Sequence, residues 1–357
     1  MLLAAAGSAA GSAVGGGKAG LPSRIVPALV HATHNMGLDA ERSDADIRAW
    51  LRRHGKGIGG LNQMTFSPDR LSAAQNEASQ HLAVLQRRAQ QVKQCNVTDL
   101  LRRAVRGHAE IKRDEFHAAS ATEIAVCPAA KLALIHVFKA AGTTIMASMN
   151  DLCNTVFGVP VHMVCTYGSW CDSSLQEAWH TIKDYAWFTF VRDPIRRFES
   201  ATFEVARRNL SCAIEAGDAG RRGDALAQAV LDRCVLRPSE AGEETDPHLK
   251  PQINFLLEPP GLTVSARLSY VGHVETLDTD WPALVTKFFS AHAGASVAEA
   301  LHNDSLHTRN SEDDDYAANV PSEYEIEIQS AELNSTVEQA YFVDTACLGY
   351  TVAESAS

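Results

Sequence analysis

The chain has 357 residues, 45% hydrophobic and 21% charged, which is enough apolar material to bury a full globular core and excludes a chain that is disordered throughout. Its 32 Lys and Arg stand against 43 Asp and Glu, a formal charge of -11. That excludes a bulk electrostatic grip on nucleic acid or an anionic membrane, so any anion site has to be built locally. No run approaches the roughly 18–20 consecutive apolar residues of a membrane helix, so no membrane span is expected.

Residues 1–42 begin with a low-complexity run of Ala, Gly and Ser and read as disordered, with too few large apolar side chains to offset the entropy of ordering. The run lacks a signal peptide's basic start and continuous apolar centre, since Gly and Ser interrupt it and the first basic side chain is Lys18. Residues 43–124 are rich in Ala, Arg, Gln and Leu without strong strand signals and read as a helical, stem-like extension. Within it Leu82, Leu85, Ala89 and Val92 share one face of an amphipathic helix, whose arginines form a solvated face. Eight cysteines and four Asn-x-Ser/Thr tripeptides, at Asn96, Asn209, Asn303 and Asn334, are compatible with an oxidising compartment. Cys153, Cys165 and Cys171 lie close together, but without a Cys-x-x-Cys pair a structural zinc has little support and no metal is expected.

From 125 to 352 the pattern becomes that of an α/β domain. Leu132 to Phe138 is a short apolar run ending at a loop with Gly142 and reads as a buried strand, followed by a helix from Thr143 to Asn154. Ala186 to Val191 is a second strand, and Asp193 and Pro194 mark the start of the next helix as cap and first helical residue. Leu268 to Val271 predicts a third strand before a helix from about Asp280. Near the end Ser322 and Glu325 have capping-box spacing, and Leu333, Val337, Ala340 and Tyr341 share a helix face. The expected fold is a P-loop-like three-layer α/β/α sandwich around a central parallel sheet, with the helical amino-terminal extension.

Two loops carry the chemistry. In the first, Ala140, Ala141 and Gly142 let the backbone turn tightly before a helix and aim N–H groups at an oxyanion. Lys139 brings a full charge, and Thr143 and Thr144 bring hydroxyl donors. The G-x-x-x-x-G-K-[ST] spacing of a nucleotide-triphosphate loop is absent. In the second, Arg192 leaves a strand end with a guanidinium suited to bidentate phosphate contact, and Ser200 lies two helical turns on. At carboxyl ends of neighbouring parallel strands both loops would face one crevice and bind one ligand with two separated anionic groups.

These segments, from Phe138-Lys139 to Thr143-Thr144 and from Val191-Arg192 to Ser200, resemble the 5'-phosphosulfate and 3'-phosphate loops of sulfotransferases that use 3'-phosphoadenosine-5'-phosphosulfate (PAPS). Asp246-Pro-His248-Leu-Lys-Pro251-Gln252, the stretch from Tyr270 through Glu275 to Trp281, and the carboxyl end from Tyr341 to Tyr350 resemble the Golgi carbohydrate sulfotransferases more specifically. Phe138 stands where many members have Pro, and Ala140 and Ala141 replace bulkier residues. The resemblance implies PAPS as co-substrate, no required metal, a carbohydrate or other hydroxyl-bearing acceptor and, with the sequons, the Golgi lumen. Transfer to an alcohol needs a base. His248 is the first candidate, and His162 the second because the family often places a catalytic histidine between the two loops. His136 reads as a core histidine, Glu275 as a structural carboxylate and the run from Glu312 to Asp315 as a solvated loop. A P-loop-like kinase or nucleotide hydrolase, and a relative that binds glycan or nucleotide without turnover, remain as alternatives.

Overall fold

The computed structural model describes residues 68–104, 122–165, 171–207, 223–236, 246–258, 263–293 and 326–350. The expected disorder of residues 1–42, the capping spacing at Ser322 and the acidic run at Glu312 lie outside them. Two helices come first, α1 (Pro68–Lys93) and α2 (Val97–Ala104). Then follow β1 (Glu123–Cys127), β2 (Leu132–His136), α3 (Gly142–Phe157), β3 (His162–Cys165), β4 (Ser173–Ser174) and α4 (Leu175–Ile182). The second half holds β5 (Ala186–Val191), α5 (Pro194–Arg207) and α6 (Gly223–Val230), which runs into a π-helical turn over Leu231–Leu236. A 3-10 turn at Gln252–Leu256 leads to the hairpin strands β6 (Leu257–Glu258) and β7 (Thr263–Val264). Last come β8 (Leu268–His273), α7 (Leu277–Ala293), α8 (Ala331–Ala340) and α9 (Phe342–Leu348).

Six strands form one sheet in the order β4-β3-β1-β2-β5-β8. β2, β5 and β8 are parallel, as expected, but β1 runs antiparallel to both β2 and β3, so the sheet is mixed rather than parallel. The cause is local. β1 and β2 are joined by a tight turn over Pro128–Lys131, closed by the Lys131 N–H to the Pro128 carbonyl, and so short a connection permits only antiparallel pairing.

Alternation along the strands divides the core between two faces. Ile124, Val126, Ala133, Ile135 and Val191 pack with Ile182 of α4, Phe255 of the 3-10 turn and Val343 and Leu348 of α9. Ala125, Leu134, Phe188 and Phe190 face the other way, against Ile145 and Met149 of α3 and Trp281 and Leu284 of α7. Trp281 stacks on Phe188 and donates its indole N–H to Ser148 at 3.0 Å, so the largest buried ring carries no orphaned donor. Helices thus cover both faces. A third cluster joins Phe198, Ala201 and Val205 of α5 to Leu226 of α6 and to Leu333, Val337 and Tyr341, the face foreseen for the carboxyl-terminal helix.

The helix foreseen through Leu82, Leu85, Ala89 and Val92 is α1, and it packs along β8, the edge strand, and against α7. Leu85 joins one core cluster while Ala89 and Val92 join the other, so α1 closes the edge where unpaired backbone groups would otherwise be exposed. Arg88, expected on a solvated face, is instead half-buried and reinforces this through an ion pair with the buried Asp280. Disulfides link Cys127 to Cys153, Cys165 to Cys171, and Cys95 to Cys347. The last ties the end of α1 to α9 across 252 residues of sequence.

A cross-link that closes so long a loop restricts the unfolded chain strongly. Replacing Cys95 and Cys347 together by Ser is expected to lower stability by roughly 2–5 kcal/mol, read from denaturant midpoints under non-reducing conditions. An unchanged midpoint would mean that packing of α1 alone holds the edge.

Candidate functional site

β2 and β5 pair in parallel, Leu132 with Ala186 through Ile135 with Thr189, so the loops that follow them emerge side by side. After β2 the chain makes a turn closed by the Ala140 N–H to the Val137 carbonyl. Lys139 and Ala141 are both left-handed, with φ of 65° and 57°. Two non-glycine residues in that region cost roughly 1–2 kcal/mol each, a strain typical of loops that hold a ligand. Ala141 is the cap of α3 and supplies no side-chain acceptor, while the first N–H groups of a helix have no intrahelical acceptor either. Gly142, Thr143 and Thr144 therefore present backbone donors at the positive end of the α3 dipole.

Gly142 is required by close approach rather than by its backbone angles: a Cβ there would collide with the His136 imidazole beneath it. His136 is held by its Nδ1, 2.7 Å from Oε2 of the buried Glu123 across the β1–β2 pair. It is a partnered core histidine, as expected, and it also forms the floor of the loop. Phe138 packs between two imidazoles, with ring centroids 4.6 Å from His136 and 4.8 Å from His248.

α5 begins after β5 as foreseen, with Asp193 Oδ1 accepting the Arg196 N–H at 3.0 Å. The Arg192 backbone is gripped from outside the strand. Its N–H donates to Gln252 Oε1 at 2.9 Å, and Gln252 Nε2 donates to its carbonyl at 2.7 Å. Gln252 is held in turn, for Asp344 of α9 accepts the backbone N–H groups of Gln252 and Ile253. Glu275 accepts the Asp193 N–H at 2.8 Å and the Tyr350 hydroxyl at 2.9 Å, the structural role expected of it. Burial pushes the Tyr350 hydroxyl pKa up, as does Glu275, so it stays a protonated donor. No side-chain partner of Arg192 occurs among the described residues, and the half-buried Ser200 follows on α5.

Further along α5, Arg197 is fully buried and donates Nε–H to the Phe138 carbonyl at 2.9 Å, joining the second loop to the first. Burial draws its guanidinium below the usual arginine range, while Tyr341 and Asp344 act the other way. Burial likewise pushes the Asp344 carboxyl up, against Arg197 and the two backbone donors. Lys139 Nζ reaches Glu204 Oε2 at 3.3 Å, one turn beyond Ser200. Lys139 and Arg192 thus follow the ends of neighbouring parallel strands, and Lys139 reaches the helix that carries Ser200.

The candidate bases separate. His248 is buried beside Phe138, and its Nδ1 lies 2.7 Å from Asp246 Oδ1. A carboxylate oxygen only accepts, so Nδ1 carries a hydrogen, and in the neutral ring the lone pair that a base needs falls on Nε2. His162 is exposed at the start of β3 and pairs with Val126, whereas Cys165 at the other end of β3 is level with Glu123 and so with His136. It therefore stands about three strand residues, roughly 10 Å, from the loop edge, and the fold does not bring it to Lys139.

Gln252, Glu275, Asp344, Arg197, Asp246 and Glu204 were not assigned a site role from the sequence. The Gln252 pairs with Arg192 and Asp344 span 60 and 92 positions, which no local spacing can signal. Among the described residues no cluster of three or more His, Cys, Asp or Glu is arranged to hold a metal ion. A family model described as "Sulfotransferase family" matches residues 122–351. No curated protein and no solved structure matches the chain.

His273, at the end of β8 behind this site, stacks on Tyr350 and has a buried Nε2 without a partner. Burial lowers its pKa from 6.5, helped by Arg88 and opposed by Glu275, Asp280 and the Leu348 carbonyl. With the folded value below the unfolded one, the unfolded chain takes up the proton first as pH falls, so stability is lost from pH 6.5 down to the folded value. The melting temperature should fall between about pH 7 and pH 5 with a component that His273→Phe removes. The same slope in the variant would assign the loss to other groups.

Proposed function

The chain belongs to the sulfotransferase family, whose chemistry is transfer of a sulfuryl group, and from that premise we propose that it moves this group from PAPS to a hydroxyl of a carbohydrate acceptor. The observation that carries the proposal is the parallel pairing of β2 with β5, which sets the Lys139 loop and the Arg192–Ser200 helix side by side. A donor with a 5'-phosphosulfate and a separate 3'-phosphate matches two anion sites on adjacent strand ends. The residues fit such a ligand, because the α3 amino-terminus lacks a side-chain cap and Arg192 is held by its backbone while its side chain is uncommitted among described residues.

In this proposal the N–H groups of Gly142, Thr143 and Thr144, with the two hydroxyls, bind the 5' group, and Ala140 and Ala141 keep the backbone close enough to do so. Arg192 and Ser200 bind the 3'-phosphate. The acceptor oxygen forms its bond to sulfur as the bond from sulfur to the bridging oxygen breaks, and the nucleotide leaves as its 3',5'-bisphosphate. Lys139 neutralises charge developing on that bridging oxygen, an electrostatic role that needs no metal. Asp246 orients His248, whose Nε2 takes the acceptor proton. The distance of His162 from the loop edge favours His248 as the base. A secretory, Golgi-type compartment belongs to the same proposal and is supported by the three disulfides, which persist in oxidising compartments.

The nucleotide 3',5'-bisphosphate should raise the melting temperature without magnesium, because a ligand of the native state stabilises it by mass action. Arg192→Ala should mainly weaken that binding, while Lys139→Ala should mainly lower turnover with labelled donor, each by roughly 1.5–3 kcal/mol. Stabilisation by ATP with magnesium and not by the bisphosphate would favour a kinase or nucleotide hydrolase.

His248→Ala should cut sulfuryl transfer to a glycan panel by roughly 10² to 10⁴ with bisphosphate binding intact, and His162→Ala should leave transfer near wild type. Loss in His162→Ala alone would move the base to β3. Full activity of both variants would require a carboxylate base.

A further inference from the structure

Lys139 does not stand alone at the edge of the sheet. Its side chain is about one-fifth exposed, and its ammonium meets the buried carboxylate of Glu204 at 3.3 Å, from a helix 65 positions away in sequence. Glu204 follows Ser200 by four residues, so the two share a face of α5, and the contact brings Nζ to the turn of that helix next to Ser200. A carboxylate in this partly desolvated setting attracts the ammonium more strongly than it would in water. It is also the same kind of partner, an oxyanion, that a phosphosulfate would offer.

We propose that Glu204 is a positioning residue for Lys139, holding its ammonium beside Ser200 before the donor binds and competing with the donor's oxyanion for that charge. The proposal rests on the sulfotransferase reading above. Binding of the donor and the Lys139–Glu204 contact are then linked: each weakens the other, and Lys139 approaches the bridging oxygen from the Ser200 side. Glu204 touches no reacting atom. It acts through Lys139, so its effect on the ligand has to vanish when Lys139 is gone.

The test is a double-mutant cycle on the full chain, with the nucleotide 3',5'-bisphosphate as the probe and calorimetry as the readout. Glu204→Gln, which keeps size and hydrogen-bonding capacity but removes the charge, should bind about three- to tenfold tighter than wild type. In the Lys139→Ala background, adding Glu204→Gln should leave bisphosphate binding where Lys139→Ala alone puts it. Unchanged or weaker binding in Glu204→Gln overturns the proposal, and so does equal tightening with and without Lys139, which would make Glu204 a through-space repulsion. A second measurement needs no nucleotide. Acylation of Lys139 followed by mass spectrometry should begin at lower pH in Glu204→Gln, because the carboxylate that stabilises the ammonium is gone. Nucleotide binding without that labelling shift overturns the Glu204 contact alone. A labelling shift in a chain that binds no bisphosphate overturns the donor reading and the competition together.

Discussion

Parallel pairing of β2 with β5 is the constraint on which the site depends. Strands that run the same way end at the same edge, and here two consecutive strand-to-helix turns deliver a lysine loop and an arginine helix to neighbouring positions. The crossover needed to bring the chain back in parallel consists of α3, β3, β4 and α4. Its first helix is also the one whose amino-terminus points at the site. The connection that makes the sheet possible therefore also supplies an uncapped helix amino-terminus, the part of the candidate site proposed to meet an anion.

The backbone of that edge is held by side chains rather than by further strand pairing. Gln252 bonds to both backbone polar groups of Arg192, Asp344 fixes Gln252, Glu275 fixes Asp193, and Arg197 ties α5 to the Phe138 carbonyl. The amide and carboxylate side chains meet backbone groups of this edge, and among the described residues the Arg192 guanidinium has no side-chain partner. The overall charge of -11 is compatible with this, because Glu123, Glu204, Asp280 and Asp344 are buried and serve as acceptors within the fold.

Much of this was legible beforehand for a physical reason. Alternation, apolar runs and cap residues are local, so β5, the start of α5 at Asp193 and Pro194, the buried stripe of α1 and the buried face of α8 followed from spacing alone. The two anion loops were equally local, since a strand end, small residues and a helix start lie within a dozen positions. β1 escaped because four apolar residues after Glu123, too few to show a period, carry little signal even with Pro128 behind them, and with it went the antiparallel step in the sheet.

By itself the sequence determined which residues could meet an oxyanion, because Lys139, Thr143, Thr144, Arg192 and Ser200 sit at fixed short distances from strand ends. It also determined that α1 would bury one stripe, because that depends only on helical period. Only the tertiary structure decided what the stripe covers, which histidine stands near Phe138, and what restrains Arg192 and Lys139. Those outcomes hang on contacts between segments 60 or more positions apart, such as Gln252 with Arg192 and Glu204 with Lys139. His248 and His162 look alike as letters beside prolines and apolar residues; strand direction, a property of the whole sheet, put His162 at the far end of β3, while packing against Phe138 holds His248 beside the loop.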